Sequence, residues 1–583
     1  MRALGLGLIL FAIMAPLRAA DPKETLQALF DEEWRFRLEH DPLFATSAGE
    51  HRYDDKLPAA THASLDRGAA FAREMLARLK GVDRALLSPE DRVSCDMFAR
   101  ELSDGLAEYE FGVWRIPLNA DSGFHTDFAD LPGRARLQTV KDYENYIARL
   151  NAFPGWVGQQ IALMREGLKA GFTLPQVVLE GVDVTMTTHV VTDPEQSIFF
   201  EPFRKFPPGA PQSERARLTA AGKAGVMNGA VAGYRTLAEF MKREYVPGAR
   251  RSISAASLPR GREYYAHLVK AFTTLHVTPD EVFETGRKEV ARIRAEMEEV
   301  VRKTGFQGNF AAFLNTLRTD PRFYAKTPEE LLKQAAFIAK SMDGKLPALF
   351  GKLPRLPYGV EPVPAHLAPK YTGGRYVEAP VGGTRAGTYW VNTYALDTRP
   401  LYTLEALTLH EAVPGHHLQI ALQQEMTGLP EFRRFSGVGA FVEGWALYAE
   451  RLGLEAGFYK DPYSDFGRLT YEMWRACRLV VDTGIHAKGW TREEAMEYLG
   501  SNTALSLHEV QTETDRYISW PGQALCYKMG ELKIRALRRE AEQALGERFD
   551  IRAFHDTVLS NGPVPLSVLE DQVHAYMRGA GAP

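Results

Sequence analysis

Helical periodicity governs what this chain can fold into. From Lys141 to Ala170 apolar residues return every three to four positions between charged ones. The same spacing runs through 24–40, 59–80, 89–109, 279–304 and 327–342. A stripe at that period covers one side of a helix, so such segments must pack against one another or against a sheet. Their starts carry matching signals: Ser88-Pro89-Glu90, Thr278-Pro279-Asp280, Thr327-Pro328-Glu329 and Thr491-Arg492-Glu493 each set a capping hydroxyl before an early proline or acid. Residues 401–424, 441–453, 464–486 and 523–545 also read as helices, and no tandem repeat interrupts the pattern.

Two stretches depart from it. Residues 206–213 (FPPGAPQS) read as a loop. Residues 346–387 are rich in proline and glycine and lead into Thr388-Tyr389-Trp390-Val391-Asn392-Thr393, a β-type run. A few strands are therefore expected just before residue 401. The chain has 583 residues, 45% of them hydrophobic, which is ample for a large core. A single helical domain over 21–583 is expected, with a lobe boundary near 250–275. A formal net charge of -4 gives no reason to expect nucleic acid or an anionic membrane as a partner.

The first twenty residues read as a secretory signal peptide: Met1-Arg2 is positive, 4–17 is apolar, and Ala19-Ala20 supplies small residues before Asp21. No cysteine lies at that junction, so a lipid anchor is not expected, and the destination is periplasmic or extracellular. No later stretch is apolar for long enough to span a bilayer, so the mature chain should be soluble. Cys95, Cys477 and Cys526 are too few and too scattered for a disulfide framework or a thiolate metal site, and they read as small buried hydrophobes.

The chemistry-bearing segment is His410-Glu411-Ala412-Val413-Pro414-Gly415-His416-His417. Two histidines four residues apart on a helix aim both rings at one metal ion, and an adjacent glutamate can move a proton. Here proline stands where the second histidine belongs. On an undistorted helix His416 would lie about 240° around from His410, and His417 about 20° around but about 10 Å further along. Pro414 cannot donate its backbone bond and disfavours helical angles at Val413, while Gly415 adds freedom. The helix must break or bulge there, so ideal phase does not decide, and both His416 and His417 are candidate ligands. A glutamate such as Glu443, on a glycine-flanked apolar helix, needs a positive partner. Glu450 lies on the same face seven residues on and could orient a ligand.

The string HEAVPGHHLQ at 410–419, with FVEGWALYAE at 441–450 and RYISWPGQALCYKMG at 516–530, closely resembles the bacterial family labelled domain of unknown function 885, over most of the mature chain. That family is similar to helical zinc peptidases of the thimet oligopeptidase, Taq-type carboxypeptidase and angiotensin-converting enzyme kind. The resemblance implies a mainly α, large bilobed metallopeptidase-like fold with a deep cleft and a small β-sheet near the active site. It implies Zn2+ held by His410, His416 and Glu443, with His416 favoured over His417 because Gly415-His416-His417-Leu418 fits the family tail. Glu411 would be the general base and Tyr527, in Gly522 to Gly530, the oxyanion donor. His417, if not a ligand, would back the ligands or face substrate, and Arg516, Tyr517 and Lys528 would face substrate. The run 387–393 resembles the edge strand that pairs with substrate backbone.

The expected activity is hydrolysis of short peptides by a metal-activated water. Two rivals stand beside it: an amidase or esterase acting on a non-peptide, and a catalytically inactive binding relative. The intact Glu411 argues against the second, since a pure binder needs no base beside its metal.

Overall fold

The structure is a computed structural model that describes residues 21–120, 122–207, 211–365, 367–379 and 385–581. The signal peptide expected over residues 1–20 lies outside the described residues. The fold is mainly helical with one small sheet. The helices needed here are α1 (Pro22–His40), α2 (His62–Leu79), α3 (Pro89–Phe111), α4 (Val140–Ala170), α5 (Pro279–Thr304) and α6 (Pro328–Asp343). Their starts follow the sequence signals. The Ser88, Thr278 and Thr327 hydroxyls accept from backbone N–H groups three residues on, and Thr278 and Glu281 form a reciprocal box.

After α6 come strands β1 (Tyr358–Pro362), β2 (Gly374–Val377) and β3 (Gly387–Val391). The sheet order is β1-β3-β2, with β1 parallel and β2 antiparallel to β3. This corrects one expectation. The 387–393 run is the central strand, paired on both sides, and β2 is the edge. The β-type composition of that run reports a strand but not its neighbours.

The sheet rests on the next helix. Tyr389 on β3 is fully buried, and its hydroxyl meets the Thr408 hydroxyl at 3.3 Å. Then follow α7 (Leu404–Glu411), α8 (His416–Gln424), α9 (Gly439–Ala456), α10 (Pro462–Lys488), α11 (Leu507–Ser519) and α12 (Cys526–Leu545).

Helix α10 is the axis of the molecule, buried on every side from Phe466 to His486 and packed along α5. Glycines let α9 and α12 cross closely: a Cβ on Gly530 would stand 1.8 Å from the Ala440 carbonyl oxygen, and one on Gly444 2.5 Å from the Gly530 Cα. One buried hydrophobic cluster runs from Leu26 through Leu150 and Tyr234 to Trp445 and Val573. It therefore crosses the expected lobe boundary at 250–275. The backbone N–H of Ala255, within that stretch, donates to His486 on α10 at 2.9 Å. The three cysteines are buried, as expected, and none is paired in a disulfide. No helix among the described residues is long and apolar enough to cross a membrane.

Candidate metal centre

The motif breaks where Pro414 and Gly415 stand. Helix α7 ends at Glu411 and α8 begins at His416, with a cis Val413–Pro414 peptide between them. The break is tight: a Cβ on Gly415 would lie 1.9 Å from the His410 carbonyl oxygen, so only glycine fits. Trp445, fully buried on α9, donates from Nε1 to the Pro414 carbonyl at 2.9 Å and holds the turn against that helix.

The turn brings His416 beside His410, with ring centroids 4.8 Å apart and planes at 88°. One ligand atom from each of His410, Glu411 and His416 lies within 4.8 Å of the others. Glu443 completes the group from α9. Its Oε2 is 3.6 Å from Nε2 of His410 and 3.5 Å from Nε2 of His416.

Those separations test whether a metal fits. A direct imidazole–carboxylate hydrogen bond closes to about 2.8 Å. Two ligands each about 2.1 Å from a tetrahedral ion stand about 3.4 Å apart. Glu443 Oε2 is buried and has no hydrogen-bond partner, and neither has His416 Nδ1. A carboxylate oxygen facing two imidazole nitrogens across that gap, without bonding either, suits a divalent cation.

The outer contacts support the same orientation. His410 Nδ1 lies 2.8 Å from Glu450 Oε1, so its Nε2 is left for the cluster. Burial opposes protonation of His410, but Glu443, Glu450 and Glu411 outweigh it and raise the ring to about 9. Burial likewise opposes ionisation of Glu443, yet the two imidazoles hold its carboxyl well below the usual range. Glu411 Oε2 accepts from the backbone N–H of Tyr376 at 2.8 Å, which ties it to edge strand β2.

Tyr527 on α12 stacks over His410, with centroids 6.4 Å apart, and its hydroxyl accepts from Gln523 Nε2 at 3.4 Å. The Arg478 guanidinium lies over its ring at 4.2 Å and that of Arg475 at 5.8 Å. Arg516 lies 3.7 Å from Glu513 and near Arg375 of β2, which also senses Glu411 and Tyr371.

Three residues expected to face substrate point elsewhere. Lys528 is fully buried among Glu472, Glu531 and Glu289, at 2.8, 2.9 and 3.2 Å. One step along a helix turns a side chain about 100°, and that step carries Lys528 from the site to the interior. Tyr517 is buried too, its hydroxyl accepting from Trp474 Nε1 at 2.8 Å and Arg478 Nε at 2.9 Å. The His417 ring faces Tyr376 and Tyr358, away from His416. Sequence reading missed Tyr376, Arg475 and Arg478. The first reaches Glu411 through its backbone N–H, which has no side-chain signature; the arginines carried only an i, i+3 spacing on a segment read as a helix.

Fold and site define a mainly helical protein in which the edge of a small sheet faces a buried His-His-Glu cluster. The chain belongs to the family described as bacterial protein of unknown function (DUF885), whose model matches residues 42–573. No curated protein matches it. The fold is shared with a candidate lipoprotein from Colwellia psychrerythraea, at a TM-score of 0.90 and 28% identity, covering 96% of this chain and 100% of that one. A candidate lipoprotein of unknown function from Shewanella oneidensis matches at a TM-score of 0.69 and 20% identity, over 95% and 99%.

Proposed function

We propose that the protein is an exported zinc-dependent peptidase acting on short peptides. One observation carries this: both Nε2 atoms and the unpartnered Glu443 oxygen converge at separations that suit a shared ion, with Glu411 beside them. His410, His416 and Glu443 would hold the metal. When bound, zinc polarises a carbonyl and acidifies a water at neutral pH.

The rest falls to the chain. Glu411 takes the proton of the attacking water and returns it to the leaving amine. The outer edge of β2, beside the Tyr376 N–H that holds Glu411, aligns an extended peptide through its remaining backbone groups. The Tyr527 hydroxyl steadies the negative charge that develops on the carbonyl oxygen, and Arg516 with Arg375 meets a substrate carboxylate. Backbone docking selects little by side chain, which favours peptides of varied sequence. Export fits the amino-terminal reading and the lipoprotein names of the two structural relatives.

The test is turnover of a peptide library by zinc-loaded protein beside a panel of non-peptide amides and esters. Glu411→Gln is expected to keep zinc and lose peptide turnover by at least about a hundredfold. Turnover confined to non-peptides would replace peptides as substrate, and full peptide turnover in Glu411→Gln would remove the assigned base.

A further inference from the structure

The motif ends in two adjacent histidines, and the metal reading uses only the first. His417 is 2% exposed, and its Nδ1 lies 3.0 Å from the Tyr376 hydroxyl. Its ring packs 4.4 Å from that of Tyr358 on β1 and 5.3 Å from that of Tyr376 on β2. The Leu356 carbonyl, in the segment entering β1, is a second partner of the same ring. His417 therefore joins the helix that carries His416 to two strands that carry none of the ligands.

The same Tyr376 donates its backbone N–H to Glu411. Side chain and backbone of one residue thus bridge both halves of the broken motif: the phenol reaches α8, and the N–H reaches the end of α7. Room for the phenol is built into β3, where a Cβ on Gly387 would stand 2.2 Å from the Tyr376 hydroxyl oxygen. An edge strand has hydrogen-bonded neighbours on one side only. The His417–Tyr376 bond supplies β2 with a side-chain anchor beyond its pairing with β3.

We infer that His417 is a positioning residue: by holding the Tyr376 hydroxyl it fixes β2, so that the Tyr376 N–H pins one oxygen of Glu411 and leaves the other for proton transfer. This rests on the reading of Glu411 as general base. The pin sets the carboxylate's rotation, and a base misplaced by even ~1 Å loses rate steeply. Tyr376 and His417 act as one unit, so losing either partner removes the same interaction.

The experiment uses the zinc-loaded full-length chain and Tyr376→Phe, His417→Phe, the double variant and His417→Gln, whose side-chain oxygen can still accept from the phenol. Hydrogen exchange of the 374–378 amides is expected to quicken about tenfold in each Phe variant, no further in the double variant, and less in His417→Gln. Amides of 404–411 and the zinc content should stay unchanged. On a peptide that the wild type cleaves, kcat should fall about tenfold with KM within about twofold. Unchanged exchange and kcat in both single variants, or effects that simply multiply in the double variant, would overturn the assignment. If exchange responds as stated but the wild type cleaves no peptide, the anchor stands and the peptidase reading falls. If the wild type cleaves peptides and neither readout changes in the variants, the peptidase reading stands and the anchor falls.

Discussion

His410 Nδ1 lies 2.8 Å from Glu450 Oε1, and Glu443 faces the opposite nitrogen of the same ring. Helix α9 thus supplies both carboxylates: one to share an ion with the imidazole, one to fix its rotation. They are seven residues apart, two helical turns, so the spacing itself aligns them along one face. Removing such a backing carboxylate typically costs about 10–100-fold in metal affinity. Glu450→Gln should therefore weaken zinc binding by that factor, measured by competition with a chelator, while the far-ultraviolet circular dichroism stays unchanged.

The α9–α12 crossing predicts a stability effect. Gly444 and Gly530 meet with no room for a methyl group, on the two helices that carry Glu443 and Tyr527. Gly530→Ala forces the helices apart. Overpacking of this kind costs about 1–3 kcal/mol, and the loss should appear in urea unfolding together with weakened zinc binding. Gly546→Ala, where nothing lies within 4 Å but φ is +56°, should destabilise without touching zinc affinity.

Lys528 provides the contrast between a structural and a substrate-binding role. It lies in the interior among Glu472, Glu531 and Glu289, which it shares with Arg292, Arg468 and Arg535. Breaking one side of a buried ion cluster costs about 3–5 kcal/mol. Lys528→Met should lose stability of that order, and wherever it folds its KM for a peptide should match the wild type. A raised KM at unchanged stability would return Lys528 to the cleft.

Asp482, fully buried on α10, sets a pH dependence. Burial raises its carboxyl to about 7, against the Tyr265 hydroxyl at 2.6 Å and the Gly522 N–H. The folded chain therefore holds a proton that the unfolded chain has released above about 4. The contribution to stability is full below that pH and is lost as pH rises through 7, at up to about 1.4 kcal/mol per unit. Denaturant titrations at pH 5 and pH 8 should show the wild type losing more stability than Asp482→Asn, which cannot ionise.

Much of this was legible in the sequence because the signals are local. Hydroxyl-proline-acid starts fix helix ends within a few residues of themselves, and Pro414-Gly415 forces a break wherever the surrounding chain goes. The spacing of His410, His416 and Glu443 carried through a resemblance. What escaped depends on neighbours distant in sequence. The run at 387–391 has the β-type composition of a strand whether it lies at the edge or the centre, and only the register with Tyr358 and Val377 decides. Tyr517 and Lys528 sit one position from Arg516 and Tyr527, but one residue of helix turns a side chain by about 100° into different surroundings. The pin on Glu411 is a backbone N–H, which any residue but proline could have offered.

Zinc content decides the central claim most directly. Chelator-stripped protein, reloaded and desalted, should hold one zinc per chain in the wild type and in Tyr376→Phe, and none at the same free zinc in His416→Ala and Glu443→Ala. Zinc kept at wild-type affinity by both alanine variants would contradict the account, because the ion would then sit elsewhere.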